Sequence, residues 1–303
     1  MTRKARKLVS FDWAMKHLLR QKENFDVLEG FLSELLKEDI SIESILESES
    51  NQENEFDKYN RVDLKVKDTN DNRFVIEVQY NSQSDYPHRM LWGVSRAISE
   101  MLNKGDDYDN IKKVISINIV YYDFGKGLDF IYHGINTFKG MYQHDELQLS
   151  TVQQKKYLVT TMTELYPEYY IIKVNGFNDK IKDALTEWIY FMKHEEVKGE
   201  FHAKGLSEAK EKLDSLKLSP ENRIAYKRYI EDRRVTRSTL QTAKEEGWQQ
   251  GMQQGVQQGV QQGMQQNQIE TANRMLVKGI DIETIAELTQ LSIEQINQLK
   301  TEN

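Results

Sequence analysis

The stretch RVDLKVKDTNDNRFVIEVQY fills residues 61–80. Val62, Leu64 and Val66 alternate with polar residues, and so do Phe74, Ile76, Val78 and Tyr80, which is the period of a strand that sends successive side chains to opposite faces. Between the runs lies Asp68-Thr69-Asn70-Asp71-Asn72, residues that bend a chain by bonding their own backbone and by tolerating positive φ. The pattern predicts an antiparallel hairpin. If both apolar rows face one core, paired residue numbers must have an even sum, and the loop length points to about 140. That register pairs 66 with 74, 64 with 76 and 62 with 78. On the opposite face it pairs Asp63 with Glu77, with Cβ atoms about 4.5–5.5 Å apart. Two carboxylates that close repel unless one is protonated or a cation lies between them. A hard divalent ion with oxygen ligands is a suitable cation, and Gln79 lies two residues along the same face. Arg61, Lys65, Lys67 and Arg73 share that face as well, so a solvated, salt-bridged surface is the competing reading.

Working outward, Phe11, Met15, Leu18 and Leu19 are spaced for one helical face, and Phe25, Leu28, Phe31, Leu32, Leu35 and Leu36 for another. Asp85 as N-cap and Pro87 in the first turn predict a helix that turns Met90, Leu91, Val94, Ala97, Ile98, Met101 and Leu102 inward and stops at Gly105. VISINIVYY from Val114 has the β-branched content of a central strand, residues 169–174 read as a later strand, and residues 179–194 as a closing helix. Helices around a small sheet, with acids on one strand face, describe an α/β domain ending near residue 195.

Asp63, thirteen intervening residues and then Glu77-Val78-Gln79 resemble the Asp…Glu-x-Lys core of PD-(D/E)XK nucleases, in the Glu-x-Gln form of the Rpn family of recombination-promoting nucleases and transposases. FDWAMKHLL from Phe11 is similar to that family's opening helix, and residues 25–36 to its second. DYPHR at 85–89, the helix after it, the strand from Val114, the Gly-rich repeat and residues 269–300 continue the same order. The resemblance covers nearly the whole chain. It implies a restriction-endonuclease-like core, a small mixed sheet flanked by helices, with a long helical C-terminal arm. It further implies a DNA endonuclease tied to recombination or mobile elements, using Mg²⁺ held by Asp63, Glu77 and the backbone carbonyl of Val78. Gln79 stands where the wider fold has lysine; a neutral amide cannot act as a base, so its expected task is to orient the attacking water or a phosphate oxygen. Asp12 matches the family's opening aspartate and reads either as an outer-shell acid or as a helix cap. Arg89 and Gln83 follow the hairpin closely enough to clamp phosphate, and a surface role is the alternative.

The chain has 303 residues and a formal net charge of −7, an unpromising average for a DNA-binding protein, since phosphate binding is driven by cations that release counterions. The basic residues are clustered, however. Arg3, Lys4, Arg6, Lys7, Lys16 and Arg20 face only Asp12 within residues 1–20, and Arg223, Lys227, Arg228, Arg233, Arg234 and Arg237 form a second group. Either could follow a phosphate backbone or be a solvated face. No cysteine is present, which excludes disulfides and thiolate metal sites and suits a reducing cytoplasm. No apolar run approaches the ~20 residues that span a bilayer. His17, His88, His133 and His144 show no metal-ligand spacing.

Beyond residue 195 the character changes. Residues 196–246 are charged and helical in propensity, and read as an arm. Residues 247–268 repeat a tetrapeptide, with glycine at 247, 251, 255, 259 and 263, each followed by Trp, Met or Val. Each interior glycine costs a helix about 1 kcal/mol relative to alanine, so the repeat is either a seam for self-association, giving a homo-oligomer, or a flexible tether. Residues 269–303 predict two short helices broken at Gly279 and near Leu291-Ser292, forming a helical hairpin or a helix-turn-helix. A protein of nuclease fold that assembles or bridges DNA without cutting it is the rival function.

Overall fold

In the computed structural model, residues 8–46, 64–215 and 217–302 are described. The chain divides into two units at Lys227. The first begins with helices α1 (Phe11–His17) and α2 (Phe25–Leu36), then strands β1 (Ile42–Ile45), β2 (Leu64–Asp68) and β3 (Arg73–Gln79), and helix α3 (Tyr86–Ser99). Strands β4 (Val114–Val120) and β5 (Ile131–Gly134), helix α4 (Thr151–Tyr157), strand β6 (Glu168–Lys173) and helices α5 (Ala184–His194) and α6 (Leu206–Lys212) follow. The sheet is mixed, in the order β1-β2-β3-β4-β6-β5, with β3, β4 and β6 parallel and the remaining pairs antiparallel.

The register expected from the alternation is the observed one: Leu64 pairs with Ile76, Val66 with Phe74 and Lys67 with Arg73, each pair summing to 140. The turn chemistry is equally direct. Asp68 accepts hydrogen bonds from the backbone N–H groups of Asn70 and Asn72 at 2.9 and 2.8 Å, and Asp71 takes the left-handed conformation at φ 65°.

Both faces of the hairpin are covered. Val75 joins Val94, Ala97 and Val114 under α3, while Phe74, Ile76 and Val78 are buried on the other side. That second face leads to α5, because Tyr121, in the row of Ile115, Ile117 and Ile119, donates its hydroxyl to the Met192 carbonyl at 3.0 Å. The helical layer is centred on Phe11, Phe31, Trp188 and Phe191, whose rings meet edge-on or tilted at 5.5–6.2 Å.

Several expectations need correction. Leu91 was expected inward, but it is 57% exposed on an open groove shared with Phe124 and Tyr166. Helix α5 starts at Ala184, capped by Asp183, rather than at residue 179. The folded unit also runs past residue 195. Ala203, Leu206, Ala209 and Leu213 are buried, the Trp188 indole donates to the Lys204 carbonyl at 3.0 Å, and Tyr226 meets Trp13 at 5.1 Å. Residues 196–213 thus join the globule.

Helix α7 (Pro220–Val277) carries the tetrapeptide repeat as continuous helix. In the second unit, the end of α7, α8 (Ile282–Thr289) and α9 (Ile293–Glu302) enclose a small core of Ala272, Ile285, Leu291 and Ile296. Ser292 and Gln295 make the reciprocal bonds of a capping box at 2.9 and 3.2 Å.

Candidate active site

Glu77 stands near the C-terminal end of β3, on the face that α3 covers, and is 4% exposed. Lys65, on the same face of β2, is 5% exposed and ion-paired with Glu100 at 2.7 Å. The solvated-surface reading therefore fails for both. Taking a carboxylate out of water costs several kcal/mol unless charge or hydrogen bonds compensate. Part of the compensation for Glu77 comes from α3, where an Arg89 guanidinium nitrogen lies 3.9 Å from its Oε2. Arg89 is held in turn by Gln83, whose Oε1 accepts from Nη1 at 2.6 Å, and it lies 6.0 Å from the centre of the Tyr86 ring. Arg89 and Gln83 thus act as a bonded pair, and the pair stands beside Glu77.

Parallel pairing sets Asn118 of β4 next to Glu77, and no sequence pattern pointed to it. Its amide is fully engaged: Oδ1 accepts from the Tyr86 hydroxyl at 3.0 Å, and Nδ2 donates to Ser116 Oγ at 3.0 Å and to the Tyr170 carbonyl at 3.2 Å. A buried network satisfied in this way fixes its members. It anchors the first turn of α3 to the sheet, and with it the turn from which Arg89 reaches. Tyr122 continues the row Asn118, Val120 just beyond β4. Burial pushes its phenol pKa up; the Arg89 charge opposes that shift and the Glu77 charge adds to it, so all three groups share one neighbourhood.

Gln79 is on the row of Glu77, two residues nearer the strand end. Its carbonyl accepts from the Tyr121 N–H at 2.8 Å and so points to β4. Carbonyls alternate along a strand, so that of Val78 points the other way, toward the β2 side. The Glu77 carboxylate and the Val78 carbonyl thus both belong to the last turn of the β3 pleat, the first on the α3 face and the second in the plane of the sheet. Asp63, the second expected acid, lies outside the described residues, as do Arg3, Lys4, Arg6 and Lys7. Among the described residues no group of three His, Cys, Asp or Glu side chains is gathered to hold a metal.

Asp12 is buried in the first turn of α1, where the cap position belongs to Ser10, so the cap reading falls. Its carboxylate pairs with Lys16 at 2.9 Å, which leaves Lys16 partly engaged. A second titratable cluster lies near the opposite ends of the parallel strands. There Glu168 bonds Lys113 and, at 3.0 Å, His133 Nε2, and His133 stacks on Tyr170 at 4.2 Å. Glu168 shares its face with Tyr170 and Ile172, the face opposite Glu77.

The family model described as PD-(D/E)XK nuclease family transposase matches residues 9–243. No curated protein and no solved structure shows significant similarity to the chain. No helix among the described residues is long and apolar enough to cross a membrane.

Proposed function

This chain belongs to the PD-(D/E)XK nuclease family transposases, and from that premise we propose that it is a Mg²⁺-dependent endonuclease hydrolysing DNA phosphodiester bonds, in the cytoplasm, as part of recombination or element mobility. The observation that carries the proposal is a nearly buried Glu77 carboxylate at the end of a parallel strand, one residue before a carbonyl directed to the β2 side and two before Gln79. Asp63 lies outside the described residues, and its place across from Glu77 is the expectation of the sequence alternation.

In this proposal Asp63, Glu77 and the Val78 carbonyl hold Mg²⁺, which when bound would polarise the scissile phosphate and lower the pKa of a water. Gln79 hydrogen-bonds that water or a phosphate oxygen and orients it. Arg89, fixed by Gln83, sets a cation where the phosphate charge must be met, with Lys16 and the basic N-terminal residues Arg3, Lys4, Arg6 and Lys7 following the strand beyond. Asp12 serves as an outer-shell acid. In-line attack leaves a 5′-phosphate and a 3′-hydroxyl. Two or more copies associate through the exposed row Trp248, Met252, Val256, Val260 and Met264 of α7.

The test is conversion of supercoiled plasmid in Mg²⁺ by the natural protein, Asp63→Asn and Glu77→Gln. Cutting by the natural protein alone, abolished by EDTA, is the expected result. Equal cutting by all three would end the endonuclease reading, and no cutting by any, in a protein that still bridges DNA, would establish the non-catalytic alternative.

A further inference from the structure

Two tyrosines flank the Glu77 neighbourhood, and their hydroxyls differ. The Tyr86 hydroxyl donates to Asn118 Oδ1 at 3.0 Å. The Tyr122 hydroxyl is equally withdrawn from water, yet it has no hydrogen-bond partner among the described residues. A buried polar group left unsatisfied costs free energy, and when a folded chain keeps one it calls for an explanation in function. The ring itself is well held: Tyr86 lies 6.5 Å from it and Phe124 6.1 Å, both edge-on. Position adds to the argument. The Tyr121 N–H to Gln79 carbonyl bond extends the β3-β4 ladder one step, so Tyr122 follows just past the ends of the parallel strands, where open α/β sheets bind ligands.

We infer that the Tyr122 hydroxyl is a substrate-binding donor, reserved for a non-bridging oxygen of a nucleic-acid phosphate that Arg89 also engages. A neutral O–H beside a guanidinium suits an anionic oxygen, because one group supplies charge and the other direction. A phenol, with an ordinary pKa of about 10, is protonated at neutral pH and hence a donor. The assignment rests on the nuclease reading above for its substrate class, and it adds a residue that lies outside the Asp…Glu-x-Gln motif.

The experiment compares the full-length natural protein, Tyr122→Phe and Tyr86→Phe, measuring affinity for a fluorescent oligonucleotide duplex with Ca²⁺ replacing Mg²⁺, and Tm in the same buffer. Tyr122→Phe should weaken binding about tenfold, as expected for a bond to a charged oxygen, while Tm holds or rises. Tyr86→Phe, which breaks a bond already made, should lower Tm. Unchanged duplex affinity in Tyr122→Phe would overturn the assignment, and so would a drop of several degrees in its Tm, which would mark the hydroxyl as structural. A parallel cleavage arm in Mg²⁺ separates the two claims. Equal cutting by the natural protein and Glu77→Gln sinks the nuclease reading, while a Tyr122-dependent loss of affinity in those samples would still support the phosphate site.

Discussion

Arg89 on α3 and Glu77 on β3 face each other across the helix-sheet interface, guanidinium nitrogen to carboxylate oxygen at 3.9 Å, with Glu77 almost wholly buried. The pair is too long for a tight salt bridge, so Arg89 balances the acid without tying up both of its oxygens. Arg89→Met should therefore destabilise the fold by roughly 1–3 kcal/mol, because it strips the cation from a buried carboxylate. Glu77→Gln should hold or raise stability, since it removes the charge whose burial is costly. In the double variant most of the Arg89→Met loss should be recovered. Urea melts of the four proteins check this coupling; strictly additive effects would show that the two groups do not interact.

Glu168 gives the first unit an acid-sensitive contact. Burial pushes its carboxyl pKa up, but the hydrogen bonds and charges of Lys113 and His133 outweigh that and hold it below the ordinary value of 4.5. A carboxyl depressed on folding contributes its stability in full above the unfolded pKa and loses it as pH falls through the folded one. The stability gap between the natural protein and Glu168→Gln should therefore be present at about pH 5 and shrink as pH falls below about 4.5. Tm measured across that range tests it, and a gap that persists at pH 3 would contradict it.

Residues 203–206 close onto α2 through two glycines. A Cβ built on Gly30 would lie 2.3 Å from the Lys204 carbonyl oxygen, and Gly205 sits at φ 81° with the Asp26 carbonyl oxygen 2.9 Å from its own Cβ position. Gly30→Ala must push this backbone away and should cost about 1–3 kcal/mol, the scale of overpacking. A chain truncated after residue 195 should aggregate, whereas one ending at 227 should fold with a single transition. Equal solubility and Tm for the two truncations would refute the closure.

Helix α7 exposes Trp248, Met252, Val256, Val260 and Met264, and each repeat glycine has open space where a Cβ would go. Sedimentation of the natural protein should show an oligomer. Met252→Glu with Val256→Glu should give monomers while the Tm of the first unit is unchanged. A monomeric natural protein would remove the self-association proposal.

The hairpin was legible because its information is local: parity fixed the faces, and the Asp68–Asn72 run fixed the turn and hence the register. Strand β4 was legible from its β-branched run. The edge strands β1 and β5 were not, since Ile42-Glu43-Ser44-Ile45 and Ile131-Tyr132-His133-Gly134 are short and half-exposed, without an alternation to read. Residues 196–213 look like solvated arm because few side chains there are apolar; their closure depends on Gly30 and Gly205, far apart in sequence. Asn118 and Tyr122 enter the site through the parallel pairing of β3 with β4, a long-range relationship with no sequence spacing of its own. Leu91 follows the helical period yet faces an open groove, because periodicity does not reveal where the sheet beneath a helix ends.

The central claim, that Asp63 and Glu77 share one divalent ion, is tested most directly by calorimetric titration of Mn²⁺, a Mg²⁺ surrogate, into the natural protein, Asp63→Asn and Glu77→Gln. The account predicts one site in the natural protein that is lost or greatly weakened in each variant, with all three equally folded by circular dichroism. Equal Mn²⁺ affinity in all three, or no site in the natural protein, would contradict it.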